Sequence, residues 1–360
     1  MLAAPNPVMR LHAFWTGVVV NSVIACGGVP SGDAEVESEL ANTPGSLRAN
    51  QLATWTVPDC FGRSAPVVVS MFEYKRVWAP GLGRNVNLRA YIAWPPGFNT
   101  NGGAKLPAIA MFHGGGWASG NPTYWFPEMH YLAARGMIAV SFQYRIRDVH
   151  RGDTSGSEYV YEAAKDARSA VRWMRKYSQA LGINANKIAT TGDSAGGHLA
   201  LMDVLNRSLE DESGADQLLS GEPQGVVAFY PVLNWQLPAD LSPTQLELGR
   251  TLPKTWVIQG NVDTVTVPAG ARAFAASAKP ANSVYVAMLP YPHTFLSTLS
   301  MYVSGITYLD TYLINLGFVS GDPAQVWSWV NGAAAHCKWN GTNYNNWTAQ
   351  LGYANNGGAW

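Results

Sequence analysis

Short apolar runs bounded by glycine and proline recur between residues 67 and 290 of the chain. Runs of this length, rich in β-branched and aromatic residues, are typical of buried β-strands. The pattern predicts eight strands, at residues 67–78, 86–94, 106–112, 137–145, 187–191, 226–232, 254–259 and 283–290. The first two flank the turn sequence PGLGRN at residues 80–85, so they are expected to pair as an antiparallel hairpin.

From the third strand onward, helical patterns separate the strands. The clearest covers residues 159–181, where apolar side chains recur every three or four positions and Gly182 stands at the expected C-cap. Strands that alternate with helices form a mostly parallel sheet with right-handed crossovers. The predicted fold class is therefore α/β, with ligands bound beyond the carboxyl ends of the strands.

Composition and charge narrow the range of partners. The chain has 360 residues, of which 47% are hydrophobic, which is enough for a substantial core. Its 24 basic and 24 acidic residues balance, and the basic ones form no run. A nucleic-acid partner is therefore not expected.

The first 50 residues have the pattern of an export signal and a tether. Arg10 precedes an apolar stretch at residues 11–25 that is too short to span a bilayer stably, which predicts a signal peptide over residues 1–25. The sequence VIACG at residues 23–27 resembles a bacterial lipobox, in which Cys26 would carry the lipid. The polar residues 26–50 then form a flexible tether. An ordinary cleaved signal with an incidental cysteine is the alternative. We expect an exported protein in either case, anchored in the bacterial cell envelope through its lipid or secreted.

The cysteine count agrees with an oxidising compartment. If Cys26 is lipidated, Cys60 and Cys337 remain as a pair and are predicted to form a disulfide bond. Two separate buried thiols are the alternative.

Two glycine-rich turns carry the candidate chemistry. The sequence HGGGW at residues 113–117 follows the third predicted strand, and GDSAGG at residues 192–197 follows the fifth. In G-x-S-x-G the serine, here Ser194, lies on a sharp strand-to-helix turn that exposes its hydroxyl. An H-G-G-G turn directs backbone N–H groups at a tetrahedral oxyanion. The predicted donors are Gly114, Gly115, Gly116 and Ala195.

A serine nucleophile needs a base and an acidic partner, which follow it in the order serine, acid, histidine. Asp263 follows the seventh predicted strand and His293 follows the eighth, and both are assigned these roles. His113 belongs to the glycine turn, and His198 begins the helix after the serine. Because no cysteine and histidine cluster has metal-ligand spacing, we predict neither a metal nor another cofactor.

These motifs, with the strand end QYR at residues 143–145 and the helical stretch at residues 166–173, resemble an esterase group. It is the hormone-sensitive-lipase-like and bacterial feruloyl/acetyl-esterase group, and the resemblance covers residues 107–295. It implies an α/β-hydrolase fold, with an eight-stranded, mostly parallel sheet flanked by helices, and a serine esterase activity. Gln143 stands where the group more often has an acidic residue.

The same patterns predict the limits of the domain and the class of substrate. Residues 51–320 are predicted to form the catalytic domain, with the tryptophan-rich residues 321–360 packed on it. Only residues 234–253 separate the sixth and seventh strands, so the cap is expected to be short. A short cap favours short-chain, acetyl or feruloyl esters of bulky alcohols such as plant polysaccharide. An amidase or formamidase, and a catalytically vestigial carbohydrate-binding protein, are the alternatives.

Overall fold

The computed structural model describes residues 47, 51–57, 66–151, 156–210, 214–233, 235–246, 250–277, 283–297 and 299–337. The predicted signal peptide, the lipid on Cys26 and Cys60 of the predicted bridge to Cys337 lie outside the described residues. The predicted tether lies outside them except for Leu47, which is buried in the core and so is not part of a flexible tether. The tail beyond residue 337 lies outside them as well.

One nine-stranded sheet forms the centre of the structure, in the order β1-β2-β3-β5-β4-β6-β7-β8-β9. The strands are β1 Gln51–Val57, β2 Val67–Ala79, β3 Arg84–Trp94, β4 Leu106–Phe112, β5 Ile138–Phe142, β6 Ile183–Asp193, β7 Gly225–Phe229, β8 Lys254–Gly260 and β9 Val284–Leu289. Strands β1, β2 and β3 pair antiparallel, and β3 meets β5 antiparallel. From β5 to β9 every pair is parallel. This is the α/β-hydrolase fold that the sequence predicts.

The count of eight strands is wrong by one, because β1 is absent from the prediction. Its sequence, QLATWTV, has no continuous apolar run, and Leu52 is exposed. An edge strand has one neighbour, so its hydrophobic pattern is weak. The strand is defined by its antiparallel pairing with β2, which the sequence of β1 does not indicate.

Seven α-helices follow in the described residues. They are α1 Phe126–Ala134, α2 Glu158–Lys176, α3 Ser178–Leu181, α4 Ala195–Leu205, α5 Pro268–Ser277, α6 Leu299–Asn315 and α7 Val326–Cys337. The predicted helix at 159–181 is thus two helices, α2 and α3, and Gly182 caps the second with a φ of 74°.

Both faces of the sheet are covered, which explains the continuous apolar strands. Along β4, Ala108 and Phe112 face a core cluster shared with α2 and α4. Ile109 and Met111 face a second cluster shared with α1 and α6. All eleven residues of α4 are buried. The helix after the candidate serine is therefore fully enclosed, as is α1 on the other face of the sheet.

The described part of the tail packs on the second face. Val326 and Val330 of α7 are buried in the cluster that includes α1 and α6. The guanidinium of Arg135, at the end of α1, lies 4.6 Å from the ring of Trp329 and pairs with Asp310 of α6. None of the helices in the described ranges combines the length and hydropathy needed to cross a membrane.

A buried ionic network joins the end of β5 to α2. Both carboxylate oxygens of Asp166 accept hydrogen bonds from the Arg145 guanidinium, at 2.8 and 2.7 Å. Lys75 of β2 donates to the same carboxylate at 2.8 Å. Burial alone would raise the pKa of Asp166, but the charges of Arg145 and Lys75 outweigh it and hold that pKa below its ordinary value.

Asp166→Asn should lower the free energy of unfolding by about 3 kcal/mol or more, because it removes the buried carboxylate charge that the Arg145 and Lys75 side chains share. A group with a lowered folded-state pKa stabilises the protein above its unfolded pKa, and this contribution is lost as the pH falls through the folded value. Urea unfolding should therefore show a difference from the wild type that is constant above about pH 5 and shrinks below about pH 4.

Asp148→Asn is the matched control, since the Asp148 side chain is 54% exposed in its pair with Arg147. We expect a change below about 1 kcal/mol. Equal effects of the two substitutions would contradict the stabilising role of the buried network.

Candidate active site

The candidate nucleophile lies on a strained turn between β6 and α4. Ser194 has a φ of 53° and a ψ of −116°, a conformation that a non-glycine residue adopts only when its surroundings enforce it. The surroundings are tight, since a Cβ on Gly192 would meet Gly196 O at 2.3 Å. A Cβ on Gly196 would meet Phe112 O, at the end of β4, at 2.0 Å. The glycines therefore permit α4 to approach β4 closely and hold Ser194 at the carboxyl edge of the sheet.

The structure brings the three predicted residues together. The Nε2 atom of His293 lies 3.1 Å from Oγ of Ser194. Its Nδ1 atom lies 2.8 Å from Oδ2 of Asp263. Asp263 follows β8 and His293 follows β9, so the side chains converge because parallel strands end at the same edge.

The Asp263 carboxylate is held from several sides. Its Oδ1 accepts the backbone N–H groups of Val265 and Thr266, at 2.8 and 2.9 Å. Gln259 donates to Oδ2 at 3.2 Å. With Asp263 only 3% exposed, these bonds fix the oxygen that faces His293.

Thr266 is a site residue that the sequence reasoning missed. Its hydroxyl lies 2.8 Å from Oδ2 of Asp263, 3.0 Å from Tyr230 O and 3.2 Å from Nδ1 of His293. Its position three residues after Asp263 is the available signal, because aspartate side chains often accept hydrogen bonds from groups two and three residues later.

The glycine turn corrects one predicted oxyanion donor. The N–H of Gly114 donates to Oδ1 of Asp193 at 2.9 Å, so it is occupied within the protein. Gly115, with a φ of 118°, and Gly116 have N–H groups that donate to no acceptor among the described residues, and the same is true of Ala195. Gly115 and Gly116 line the same cavity as Ser194, and Ala195 directly follows Ser194 in the chain, so these three N–H groups are the remaining candidate donors.

Asp193 and Tyr144 secure the turn on either side. Asp193, on the serine turn, accepts the N–H of Gly114 and so links the glycine turn at residues 113–117 to the serine turn. The Tyr144 hydroxyl donates to His113 O at 2.7 Å. The His113 ring stacks on Tyr144 with centroids 4.2 Å apart and donates from Nδ1 to Gly114 O at 2.8 Å. Gln143 keeps a structural contact, since its Oε1 accepts the backbone N–H of Arg89.

Two other histidines near the serine are buried and neutral. Burial lowers the pKa of His113 to about 4. It also lowers the pKa of His198 to about 4, and the His198 Nε2 atom lies 2.8 Å from Leu241 O. Their rings are engaged in the fold, which leaves His293 as the base within reach of Ser194.

A cavity of about 720 Å³ opens above the serine. Its wall is largely apolar and includes Gly114, Gly115, Gly116, Tyr124, Trp125, Pro127, Glu128, Asp193, Ser194, Tyr230, Trp235, Val265, His293, Thr294, Leu296 and Ser297. Trp235 comes from the insertion between β7 and β8, which in its described residues has no helix beyond the 3₁₀ turn Ala239–Leu241. Trp117 lies behind Trp235 and is fully buried.

Within the described ranges, no group of three or more histidine, cysteine, aspartate or glutamate side chains is arranged to hold a metal ion.

The family model described as BD-FAE matches residues 98–286. The chain belongs to the BD-FAE family. The matched residues include the glycine turn, Ser194 and Asp263, and they end before His293.

Known relatives of this BD-FAE chain carry esterase names. It is 32% identical over 151 residues to carboxylesterase NlhH of Mycobacterium tuberculosis, a match that covers 41% of this chain and 42% of NlhH. The structure resembles Thermogutta terrifontis esterase 2 phosphorylated by paraoxon, with 29% identity and a TM-score of 0.62, over 71% of this chain and 96% of that one. The structure also resembles propionate-bound esterase 2, with 29% identity and a TM-score of 0.62, over 70% of this chain and 96% of that one. The chain thus spans about two fifths of the length of the curated relative and nearly all of the solved one.

Gly196→Ala should destabilise the protein by about 3 kcal/mol or more, because the new methyl group would overlap backbone oxygens that cannot move independently of the sheet. Thermal or urea unfolding measures the loss. Gly332→Ala is the control, since Gly332 lies in α7 with no atom of the described residues within 4 Å of its Cβ position, and it should stabilise slightly. Wild-type stability in Gly196→Ala would refute the close approach of α4 to β4.

Proposed function

We propose that this protein hydrolyses carboxylic esters through a covalent acyl-enzyme on Ser194. The observation that carries the proposal is the hydrogen-bonded series from Ser194 through His293 to Asp263, beside an ester-sized cavity. The family and the esterase names of the relatives support it.

In the first half of the reaction, Nε2 of His293 takes the Ser194 proton as Oγ attacks the ester carbonyl carbon. Asp263 holds Nδ1 of His293 protonated and stabilises the imidazolium that forms. Thr266 keeps the Asp263 carboxylate in place. The imidazolium then gives its proton to the departing alkoxide, which leaves as the alcohol.

In the second half, His293 takes a proton from water as the water oxygen attacks the acyl carbon. The Ser194 oxygen leaves with the proton that His293 returns, and the carboxylic acid departs. In both halves negative charge develops on the former carbonyl oxygen. The N–H groups of Ala195, Gly115 and Gly116 stabilise it because, among the described residues, they have no protein acceptor to leave.

The short insertion over the cavity supports a short acyl group and a bulky alcohol. Esterase 2 has been solved with propionate and with butyrate bound, and another relative is named ethyl acetate hydrolase. We propose acetyl, other short-chain or feruloyl esters of bulky alcohols, plant polysaccharide among them, as the substrate class. The intact hydrogen-bonded triad favours catalysis over a vestigial binding role.

Ser194→Ala should lower ester hydrolysis by about 10⁴- to 10⁶-fold without unfolding the protein. His293→Ala should cost nearly as much, and the double variant little more, because the two side chains act as a unit. Rates on p-nitrophenyl acetate and on a p-nitroanilide also separate an esterase from an amidase.

Ser277→Ala is the matched control, because Ser277 is exposed and, within the described residues, its hydroxyl bonds only to Phe274 O of its own helix. It should keep wild-type rates. Additive losses in the double variant, or substantial activity in purified Ser194→Ala, would rule out the assigned mechanism.

Esters with about two to four acyl carbons should be hydrolysed fastest, with kcat/KM falling beyond about eight, since each added methylene helps by about 0.8 kcal/mol only where the wall covers it. A p-nitrophenyl ester series measures this, beside methyl ferulate and acetylated xylan. Faster hydrolysis of decanoate than of butyrate would require an apolar cover that the described residues lack.

A further inference from the structure

Exposed apolar side chains concentrate around the mouth of the catalytic cavity. Tyr124, Trp235 and Val265 line the cavity and are 53%, 39% and 48% exposed. Val262 and Val267 lie on the same loop as Val265 and are 58% and 40% exposed. These five side chains are called the mouth rim below. Apolar side chains that cluster at one place on a surface mark an interaction site, whereas scattered ones do not.

The segments that form the mouth are also almost free of charge. Residues 114–127, 230–238, 261–268 and 290–297 contain no lysine, arginine or glutamate, although 13% of the chain is charged. Their one aspartate is Asp263, which is buried and engaged with His293. Glu128 and Asp193 also line the cavity, but Glu128 is only 2% exposed and Asp193 accepts the N–H of Gly114. A surface without charge is suited to a partner without charge, because neither side must give up strongly bound water.

We propose that the mouth rim docks the enzyme on the uncharged apolar surface of an aggregated ester. The inference rests on the proposed esterase function and adds the physical state of the substrate. Three of the five rim side chains are valines, which provide neither a hydrogen bond nor a flat ring for a sugar. They favour an aliphatic surface over a hydrated polysaccharide. The rim is continuous with the cavity, so a docked surface presents its esters directly to Ser194.

Docking on a surface has a kinetic consequence that a dissolved substrate does not reveal. A single dissolved ester enters the cavity and contacts Ser194 without covering Val262 or Val267, since neither valine lines the cavity. A droplet or film covers both. The two valines therefore contribute to hydrolysis at a surface and not to hydrolysis in solution.

The test is Val262→Ser/Val267→Ser, which removes apolar contact without adding charge. Tributyrin provides short acyl esters as an emulsion, and p-nitrophenyl butyrate provides the same acyl group in solution. We expect the double variant to lose roughly tenfold in rate on emulsified tributyrin and to keep its rate on dissolved butyrate. The control is Leu52→Ser/Leu218→Ser, which removes two exposed leucines, 45% and 87% exposed, from other parts of the surface. It should change neither rate.

A binding measurement separates this inference from the proposed function. Ser194→Ala protein, with and without the two valine substitutions, is floated with tributyrin droplets, and the bound fraction is measured. Loss of binding on valine substitution supports the docking surface even if the wild type proves not to be an esterase. If the wild type hydrolyses esters but the valine substitutions leave droplet binding unchanged, the docking surface is refuted and the esterase function is not.

The remaining outcomes each overturn the inference. Equal losses on both substrates would show that the valines act on the catalytic site. If the double valine variant lost activity on acetylated xylan and kept its rate on emulsified tributyrin, the mouth rim would be assigned to polysaccharide binding. A change from dimer to monomer on valine substitution, seen by light scattering without an emulsion effect, would assign it to a second copy of the chain. Activation by removal of residues 338–360, with no valine effect, would assign it to the C-terminal part of this chain.

Discussion

The close approach of α4 to the end of β4 is the constraint on which the site depends. With no side chain on Gly192 or Gly196, the helix backbone lies directly against Phe112 O and the turn that follows it. That contact sets Ser194 in its strained conformation and places Ala195 N–H beside it. The parallel pairing of β6 with β4, which sets Gly192 opposite Phe112, brings Asp193 within 2.9 Å of Gly114 N and joins the two glycine-rich turns. Nucleophile and oxyanion donors thus share one rigid unit.

Polar groups buried behind this unit hold it against the sheet. The Asp166 carboxylate binds Arg145 and Lys75, and so fixes the end of β5 on α2. Tyr144, just after β5, donates its hydroxyl to His113 O, and its ring stacks on the His113 ring. A carboxylate buried among cations is costly unless every partner is present. The network therefore favours one position of the turn over small displacements, which is what an oxyanion site requires.

The chemistry of the cavity divides into two zones. Its floor carries the reacting groups, with Ser194, His293 and the free N–H groups, and is supported by buried hydrogen bonds. Its mouth is apolar, and the five described side chains of the mouth rim carry no charge. A floor of fixed dipoles serves the developing oxyanion, whereas an uncharged mouth admits neutral esters and lets their alcohol portion remain outside. A short insertion between β7 and β8 leaves this mouth uncovered in the described residues and contributes Trp235 to it.

The sequence by itself determined the motif turns, the order of serine, acid and histidine, the hairpin of β2 and β3, and the mostly parallel sheet of the strands that follow it. Those features are readable because glycine at a tight turn and apolar residues at a strand period reflect local backbone geometry. The tertiary structure alone decided that β1 adds a ninth strand, that Thr266 supports Asp263, and that Gly114 N–H belongs to Asp193. Each of these depends on a partner brought near by folding. Gly114 and Asp193 lie on different turns far apart in the chain, and the parallel pairing of β4 with β6, which sets Phe112 opposite Gly192, makes them neighbours.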